Sequence, residues 1–345
     1  MVDPAAGVGL LREHGDTQVP PGHLDLAVNV HPDPPPGLRE VLAGVDVTAY
    51  PDARRARRLL ASRHGVAEEE VLLVNGAAEA FWALAHLLPP GSPVAVVHPS
   101  FTAPEAALRS ARHVVLRVLR DAADGFALHP DAVSDRADLV VLGRPDNPTG
   151  RSEDVAVLRR LVRPGRLLVL DEAFAEHAGD GLGLTAHRDQ LPGLVQVRSL
   201  TKIWGAAGLR LGYVLADAHV VRGLAAVLQP WPVGSVALAV LERLFDPAHA
   251  DAVEGERRRR ADAVALQRRR LVPALQGAGL QVWAGEANFV LVRSPRIDLR
   301  ARLLARGVAV RRGDTFPGLD AHHVRIAVHP DAAVVDRLLT ALAGM

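Results

Sequence analysis

The chain has 345 residues, of which 49% are hydrophobic and 23% charged, and its formal net charge is +1. This is the composition of an ordinary globular protein with room for a large and a small domain, and the near-neutral charge gives no support to a nucleic-acid partner. There are no cysteines, which excludes disulfides, thiolate metal sites and thiol catalysis.

Membrane and export signals are also missing from the sequence. No apolar run reaches the 18 residues of a membrane span, and the N-terminus has no basic flank before an apolar core. We therefore expect a cytoplasmic protein without a membrane partner.

Residues 1–40 are rich in proline and glycine and predict an irregular N-terminal arm with one short apolar segment, Leu24–Val30. Such an arm is either a flexible tail or a strap over a site. His14 and Asn29 give it polar groups that a mere tail does not require, so we expect it to contribute to the small domain and the active site. Beyond the arm stands Tyr50, one of two tyrosines in the chain.

Short apolar runs alternate with helical periodicity from residue 71 to about residue 215. Continuous apolar strands separated by helices indicate an α/β fold whose seven-stranded, mostly parallel sheet is covered on both faces. In such sheets ligands bind at the carboxyl ends of the strands. The predicted strands are 71–74, 94–97, 114–118, 139–142, 167–170, 194–197 and 211–215.

Candidate residues follow several of these strands. Gly76 and Ala77 come after the first, where free backbone N–H groups could hold an anion, although glycine is common at helix starts. Phe101 follows the second strand, and its side chain either stacks on the ring of a ligand or belongs to the core. Asn147, after the fourth, either presents its amide or only makes a turn. Asp171 follows the fifth, and no histidine or second acid stands near it at metal-ligand spacing, so we predict no metal.

The most informative residue is Lys202. The sequence counts 40 Lys and Arg residues, and Lys202 is the only lysine among them. Arginine carries charge equally well, but only a primary amine condenses with an aldehyde to give a Schiff base. Ser199, Thr201 and Arg210 around it are the groups that hold a phosphate. A Schiff-base lysine beside a phosphate cradle indicates pyridoxal 5'-phosphate, PLP, and Asp171 would then pair with its pyridine nitrogen.

The C-terminal part reads as a small α+β domain with a long helix over about residues 250–277. Its arginine runs, 257–260 and 268–270, are interpreted as the solvent face of that helix. Arg311 and Arg325 lie on predicted strands. A buried arginine needs an anion, which is either a substrate carboxylate or phosphate or a structural partner. We expect domains at 41–235 and 236–345.

These motifs resemble the aminotransferase class I/II family of PLP enzymes, fold type I, over most of the chain. The resemblance implies that Lys202 bonds the cofactor and moves the Cα proton, that Asn147 meets the ring hydroxyl, and that Phe101 stacks on the ring. It implies that Arg325 holds the substrate carboxylate and that Tyr50 reaches a phosphate in the neighbouring subunit of a homodimer. The implied phosphate ligands are Gly76, Ala77, Ser199, Thr201 and Arg210.

Within the family, the arm is similar to that of threonine-phosphate decarboxylases of cobalamin biosynthesis, in which a His-Gly pair precedes an apolar segment ending in Asn and Pro. The similarity makes His14, Asn29 and Arg311 candidates for binding a phosphorylated amino acid. Three hypotheses follow: a decarboxylase of L-threonine O-3-phosphate, an aminotransferase acting on histidinol phosphate or another amino acid, and an inactive PLP-fold binding protein. The first two differ in which Cα bond stands perpendicular to the cofactor ring.

Overall fold

The computed structural model describes residues 9–13, 19–178 and 184–343. His14, predicted to take part in the site, lies outside the described residues. In the described part of the chain, the strands are β1 Leu24–Leu26, β2 Val71–Asn75, β3 Pro93–His98, β4 Val114–Leu119, β5 Leu139–Gly143, β6 Leu167–Asp171, β7 Leu194–Ser199, β8 Leu211–Leu215, β9 Gln281–Ala284, β10 Phe289–Arg293, β11 Val308–Arg312 and β12 His323–Ala327.

The helices alternate with these strands in the first two thirds of the chain. They are α1 Leu38–Gly44, α2 Arg54–His64, α3 Ala77–Leu84, α4 Ala103–Ser110, α5 Val155–Arg159, α6 Ala218–Val227, α7 Ser235–Phe245, α8 Ala250–Gly277, α9 Leu299–Leu304 and α10 Ala332–Ala343.

The seven predicted strands are confirmed and form one sheet in the order β2-β8-β7-β6-β5-β3-β4. β8 runs antiparallel to β2 and β7, and the remaining pairs are parallel. Strands β5 to β8 are buried along their whole length because apolar layers cover both faces. The fold is therefore the predicted α/β class, and the parallel strands end together at one edge of the sheet.

A second sheet has the order β1-β11-β12-β10-β9. Helices α8, α9 and α10 pack on it through a core that includes Leu271, Leu303 and Leu338. The arm enters this sheet, because β1 pairs in parallel with β11 in the register Leu24 to Val308. The boundaries at residues 40 and 235 stay a prediction.

One expectation about α8 was wrong. Arg257 and Arg260 are buried, not solvent-facing. Arg257 donates to the carbonyl of Glu176, and Arg260 donates to the carbonyls of Asp33 and Ile203. Spaced three residues apart, both lie on the inner stripe of the helix, where irregular backbone needs donors. Arg258 and Arg259 between them are exposed, as predicted.

Candidate functional site

A cavity of about 420 Å³ lies where the carboxyl ends of the parallel strands face the arm and the second sheet. Most of the predicted site residues meet here, although they come from eight separate stretches of the chain. Those lining the cavity are Asn29, Ala77, Phe101, Asn147, Asp171, Ser199, Thr201, Lys202, Arg210, Arg311 and Arg325.

The arm holds Lys202 from two sides. Its Nζ donates to Asn29 Oδ1 at 3.3 Å, and its carbonyl accepts a hydrogen bond from the backbone N–H of His31 at 2.9 Å. Phe174, directly beyond β6, places its ring centroid 5.8 Å from Nζ. The only primary side-chain amine of the protein is thus fixed in the cavity, next to an aromatic face.

Asp171 lies at the end of β6, and its carboxylate is almost fully buried. Burial raises its pKa to about 6, because the charged form loses hydration, while the Ala173 N–H and the Lys202 ammonium act in the opposite direction. The N–H of Ala173 donates to Oδ1 at 3.1 Å. The ionised form of such a buried carboxylate would be stabilised by a cationic ring N–H group placed in the cavity.

A hydroxyl pair and a guanidinium form a cradle at the other end of the cavity. Ser199 Oγ and Thr201 Oγ1 are 2.7 Å apart, and the Thr201 N–H donates to Ser199 Oγ at 3.3 Å. Arg210, with φ of 53°, turns its guanidinium over Gly76, where an added Cβ would collide with it. Glycine at position 76 therefore brings the guanidinium close to the backbone before Ala77, although Gly76 itself does not line the cavity.

Arg325 lies on β12, buried beside the cavity. Its Nη1 donates to Asn147 Oδ1 at 2.7 Å, and Nη2 donates to the carbonyl of Ala27 in the arm. Burial, together with the charge of Arg311, lowers its pKa to about 9. The Nε atom has no hydrogen-bond partner in the described part of the chain. The Arg325 side chain therefore orients Asn147, and its Nε–H group is available as a donor to a ligand.

Arg311, on β11, is equally buried and lines the same cavity. Its Nη2 donates to the carbonyl of Glu13 at 2.7 Å and to Thr315 Oγ1 at 2.8 Å. The Nη1 atom is buried and meets no hydrogen-bond partner among the described residues. Arg311 is thus a second guanidinium with an unused donor, and it also fastens the arm to the second sheet.

Residues 9–13 of the arm lie at the cavity's edge, held by contacts that the sequence did not indicate. The carbonyl of Leu11 accepts a hydrogen bond from Thr102 Oγ1 at 2.7 Å, and Leu11 packs on Ala106 of α4. Together with the bond from Arg311 to Glu13, this joins both sheets through the arm. These contacts use backbone carbonyls, which leave no pattern of side chains in the sequence. Residues 9–13 are called the strap.

Tyr50 does not lie in the cavity. Its side chain is 76% exposed and stacks on Trp231, with ring centroids 4.2 Å apart and planes inclined by 18°. Trp231 is itself exposed and has a φ of 52°. The chain by itself thus holds this tyrosine at the surface, away from its own Lys202 site.

The donor set fits PLP. It combines one amine, a buried carboxylate with a raised pKa, an amide in Asn147, a ring face in Phe101 and a hydroxyl and guanidinium cradle. Within the described ranges, no three His, Asp or Glu side chains come together in a way that could hold a metal ion. Nor is any described helix long and apolar enough to cross a membrane.

Comparison with known proteins agrees with this donor set. The family model for aminotransferase class I and II matches residues 23–342. A histidinol-phosphate aminotransferase of Mycobacterium tuberculosis is 42% identical over 337 residues, covering 94% of this chain and 88% of that protein. A threonine-phosphate decarboxylase of Sinorhizobium is 32% identical over 335 residues, covering 94% and 93%.

A solved structure extends the comparison to the fold. The histidinol-phosphate aminotransferase from Clostridium acetobutylicum matches with a TM-score of 0.83 and 22% identity, covering 93% of this chain and 98% of that one. At this identity the match describes the fold alone.

Proposed function

Because the chain belongs to the aminotransferase class I and II family, we propose that it acts on a phosphorylated amino acid, most directly as a decarboxylase of L-threonine O-3-phosphate in cobalamin biosynthesis. The family is PLP-dependent, so the protein is a PLP-dependent enzyme. When bound, PLP supplies an aldehyde for the substrate amine and a ring that accepts the electron pair of a broken Cα bond.

The proposed roles follow from the positions of the side chains. Lys202 holds the cofactor and delivers a proton to Cα, and Asp171 keeps the pyridine nitrogen protonated. Asn147, with its Oδ1 bonded to Arg325, has its amide nitrogen left for the ring hydroxyl. Phe101 covers the ring. The proposed phosphate cradle comprises Gly76, Ala77, Ser199, Thr201 and Arg210.

Two arginines carry the substrate proposal. Arg325 and Arg311 each line the cavity, are buried, and keep an unpartnered N–H donor. Two buried guanidiniums suit a substrate with two anionic groups, because a buried cation without an anion is costly. L-threonine O-3-phosphate has a carboxylate and a phosphate. Asn29, which contacts Lys202, borders the same space, and His14 is proposed from the sequence alone.

Binding at the remote phosphate would select the reaction branch. If Arg311 held the phosphate and Arg325 the carboxylate, the two contacts together would fix the rotation of the substrate about Cα, and this rotation would decide whether carbon dioxide or the Cα proton is lost with PLP bound. When carbon dioxide is lost, the electron pair left on Cα takes a proton, for which Lys202 is placed. The product is aminopropanol phosphate.

Transamination of histidinol phosphate is the second candidate, and the 42% identical relative of that name favours it. Histidinol phosphate has one anionic group, so one arginine is sufficient to bind it. The second arginine would then serve the dicarboxylic amino donor. Both candidates use the same Lys202 and Asp171.

We further propose a homodimer in which Tyr50 reaches the cofactor phosphate of the partner subunit. Its support is the exposed position of Tyr50, whose ring is held outward by Trp231.

Product analysis tests the proposed reaction. The PLP-loaded enzyme is incubated with L-threonine O-3-phosphate, with and without 2-oxoglutarate. The proposal expects release of carbon dioxide that does not depend on 2-oxoglutarate. Formation of glutamate without carbon dioxide would contradict it, and histidinol phosphate would then be tested under the same conditions.

A further inference from the structure

We infer that a second cavity, behind the catalytic one, binds an amino acid that has an aromatic side chain and is in its zwitterionic form. It has a volume of about 540 Å³ and is bounded by α2, α7 and the first turns of α8. None of its lining residues lines the catalytic cavity. Its volume is sufficient for a small metabolite.

The inner wall carries buried polar atoms that have no hydrogen-bond partner in the described part of the chain. Glu176 Oε2 and His64 Nδ1 are buried and have no hydrogen-bond partner among the described residues. The other ring nitrogen of His64, Nε2, lies 2.9 Å from the hydroxyl of Tyr213. Burial lowers the pKa of His64 to about 3 and raises that of Glu176, so His64 is neutral near pH 7. An ammonium group donating to Glu176 Oε2 would give this buried oxygen a hydrogen-bond partner.

The rim carries surplus positive charge. The Glu254 carboxylate accepts hydrogen bonds from Arg257 and Arg258, and the Arg63 guanidinium stands 3.9 Å from it. One carboxylate therefore faces three guanidiniums, with Asp251 as the other acid on the rim. A ligand carboxylate at Arg63 would balance this charge.

Aromatic side chains line the cavity, and one of them, Trp204, also donates a hydrogen bond to the Glu176 side chain. Trp204 and Phe245 both line it, and the outer face of Trp204 is covered by Arg260, whose Cζ lies 5.5 Å from the ring centroid. The buried Oε2 atom of Glu176, the aromatic walls and the exposed Arg63 match the ammonium, the aromatic body and the carboxylate of such a ligand.

The two cavities share a wall made of sequence neighbours. Glu176 comes two residues after Phe174, which faces Lys202, and Trp204 comes two residues after Lys202 itself. Arg198, which lines the second cavity, pairs with Glu172 at 2.6 Å, next to Asp171. A ligand in the second cavity would therefore contact the segments that carry the catalytic side chains.

Fluorescence of Trp204 tests the site in the holoenzyme. The other three tryptophans are replaced by phenylalanine, and the protein is titrated with L-phenylalanine, 2-phenylethylamine and 3-phenylpropionate while PLP absorbance reports on the catalytic cavity. We expect saturable binding of L-phenylalanine. Each analogue should bind about tenfold more weakly or worse, because each lacks one charged hydrogen bond worth roughly 1.5 kcal/mol or more.

Variants separate this site from the catalytic one. Glu176→Gln and the exposed-rim change Arg63→Gln should each weaken the Trp204 response to L-phenylalanine by about tenfold. Arg58→Gln, exposed on the same helix and outside the cavity, should leave it unchanged. Arg325→Gln should also leave it unchanged.

Three results would overturn the inference. No Trp204 response would mean that water alone fills the cavity. Equal affinity for 3-phenylpropionate would mean an anion site without amino-acid recognition. A response lost in Arg325→Gln would assign the signal to the catalytic cavity.

Discussion

Burial determines what single residues in the catalytic cavity can do. Asp171 was predicted because it ends a continuous apolar strand, and the structure shows the consequence, a buried carboxylate with a pKa of about 6. Arg311 and Arg325 were predicted as buried strand arginines that bind either a substrate anion or a structural partner. In the structure each donates to acceptors within the chain and also has one N–H donor without a described partner. The sequence identified these residues, but the unused donors depend on distant contacts that it does not encode.

The raised pKa of Asp171 predicts a pH-dependent stability of the enzyme without PLP. The folded pKa lies above the ordinary value of 3.8, so ionisation costs nothing below about pH 4 and its full cost, about 3 kcal/mol, above about pH 6. In urea unfolding of the PLP-free proteins, Asp171→Asn should gain stability over wild type as the pH rises through that window. A stability difference that stays constant from pH 4 to 7.5 would contradict this.

The unused donor of Arg311 predicts a specific loss of substrate affinity. Arg311→Gln should raise the KM for L-threonine O-3-phosphate about 10- to 100-fold, since a hydrogen bond to a charged group contributes roughly 1.5–3 kcal/mol. Arg312→Gln is the matched control, because Arg312 also contacts Glu13 of the strap, at 3.4 Å, but pairs with Asp314 and does not line the cavity. Equal effects of the two changes on steady-state KM would show that Arg311 only fastens the strap.

At the scale of elements, apolar runs were predictable and short, half-buried elements were not. Strands β5 to β8 were found because both of their faces are buried, which makes the sequence continuously apolar. The edge strand β4 is largely exposed, but its sequence is apolar at five of six positions, so it was found as well. β1 has three residues and β9 is only half-buried, so each depends on its sheet partner. The inward face of α8 was missed because its buried positions include arginines, whose partners are carbonyls of remote loops.

The strap is held by the hydroxyl of Thr102, and we expect this hydrogen bond to contribute to substrate binding. Thr102→Val removes the bond to the Leu11 carbonyl and keeps the side-chain shape, at a loss of about 1 kcal/mol. We expect the KM to rise about fivefold with little change in kcat. Thr340→Val on α10, which also loses a bond to a backbone carbonyl, should leave both constants unchanged. An unaltered KM in Thr102→Val would separate the strap from substrate binding.

At the scale of the whole molecule, we propose that the site is shared between two copies of the chain. Tyr50 stacks on Trp231 at the surface, and exposed Val47 and Val227 lie in the same two segments of the chain. The two segments are far apart in sequence, so the stack itself could not be predicted. What the resemblance implied for Tyr50 needs the second subunit.

Mixed dimers test this sharing. Lys202→Ala and Tyr50→Ala proteins are each expected to be impaired, but co-expressed and mixed they should regain activity. A dimer with one change on each chain has one site free of both changes, provided that Tyr50 acts across the interface. Activity of the mixture no greater than the average of the two pure variants would place Tyr50 outside the partner's site. Trp231→Phe, which keeps a stacking ring, is the control expected to remain active.

The most direct test of the proposed reaction is a single turnover of the PLP-loaded enzyme with L-threonine O-3-phosphate and no keto acid. The absorbance of the cofactor and the release of carbon dioxide are followed together. We predict one equivalent of carbon dioxide per site, with the cofactor returning to its lysine-bound absorbance. Conversion of the cofactor to its amine form without carbon dioxide would contradict the decarboxylase and make the enzyme an aminotransferase.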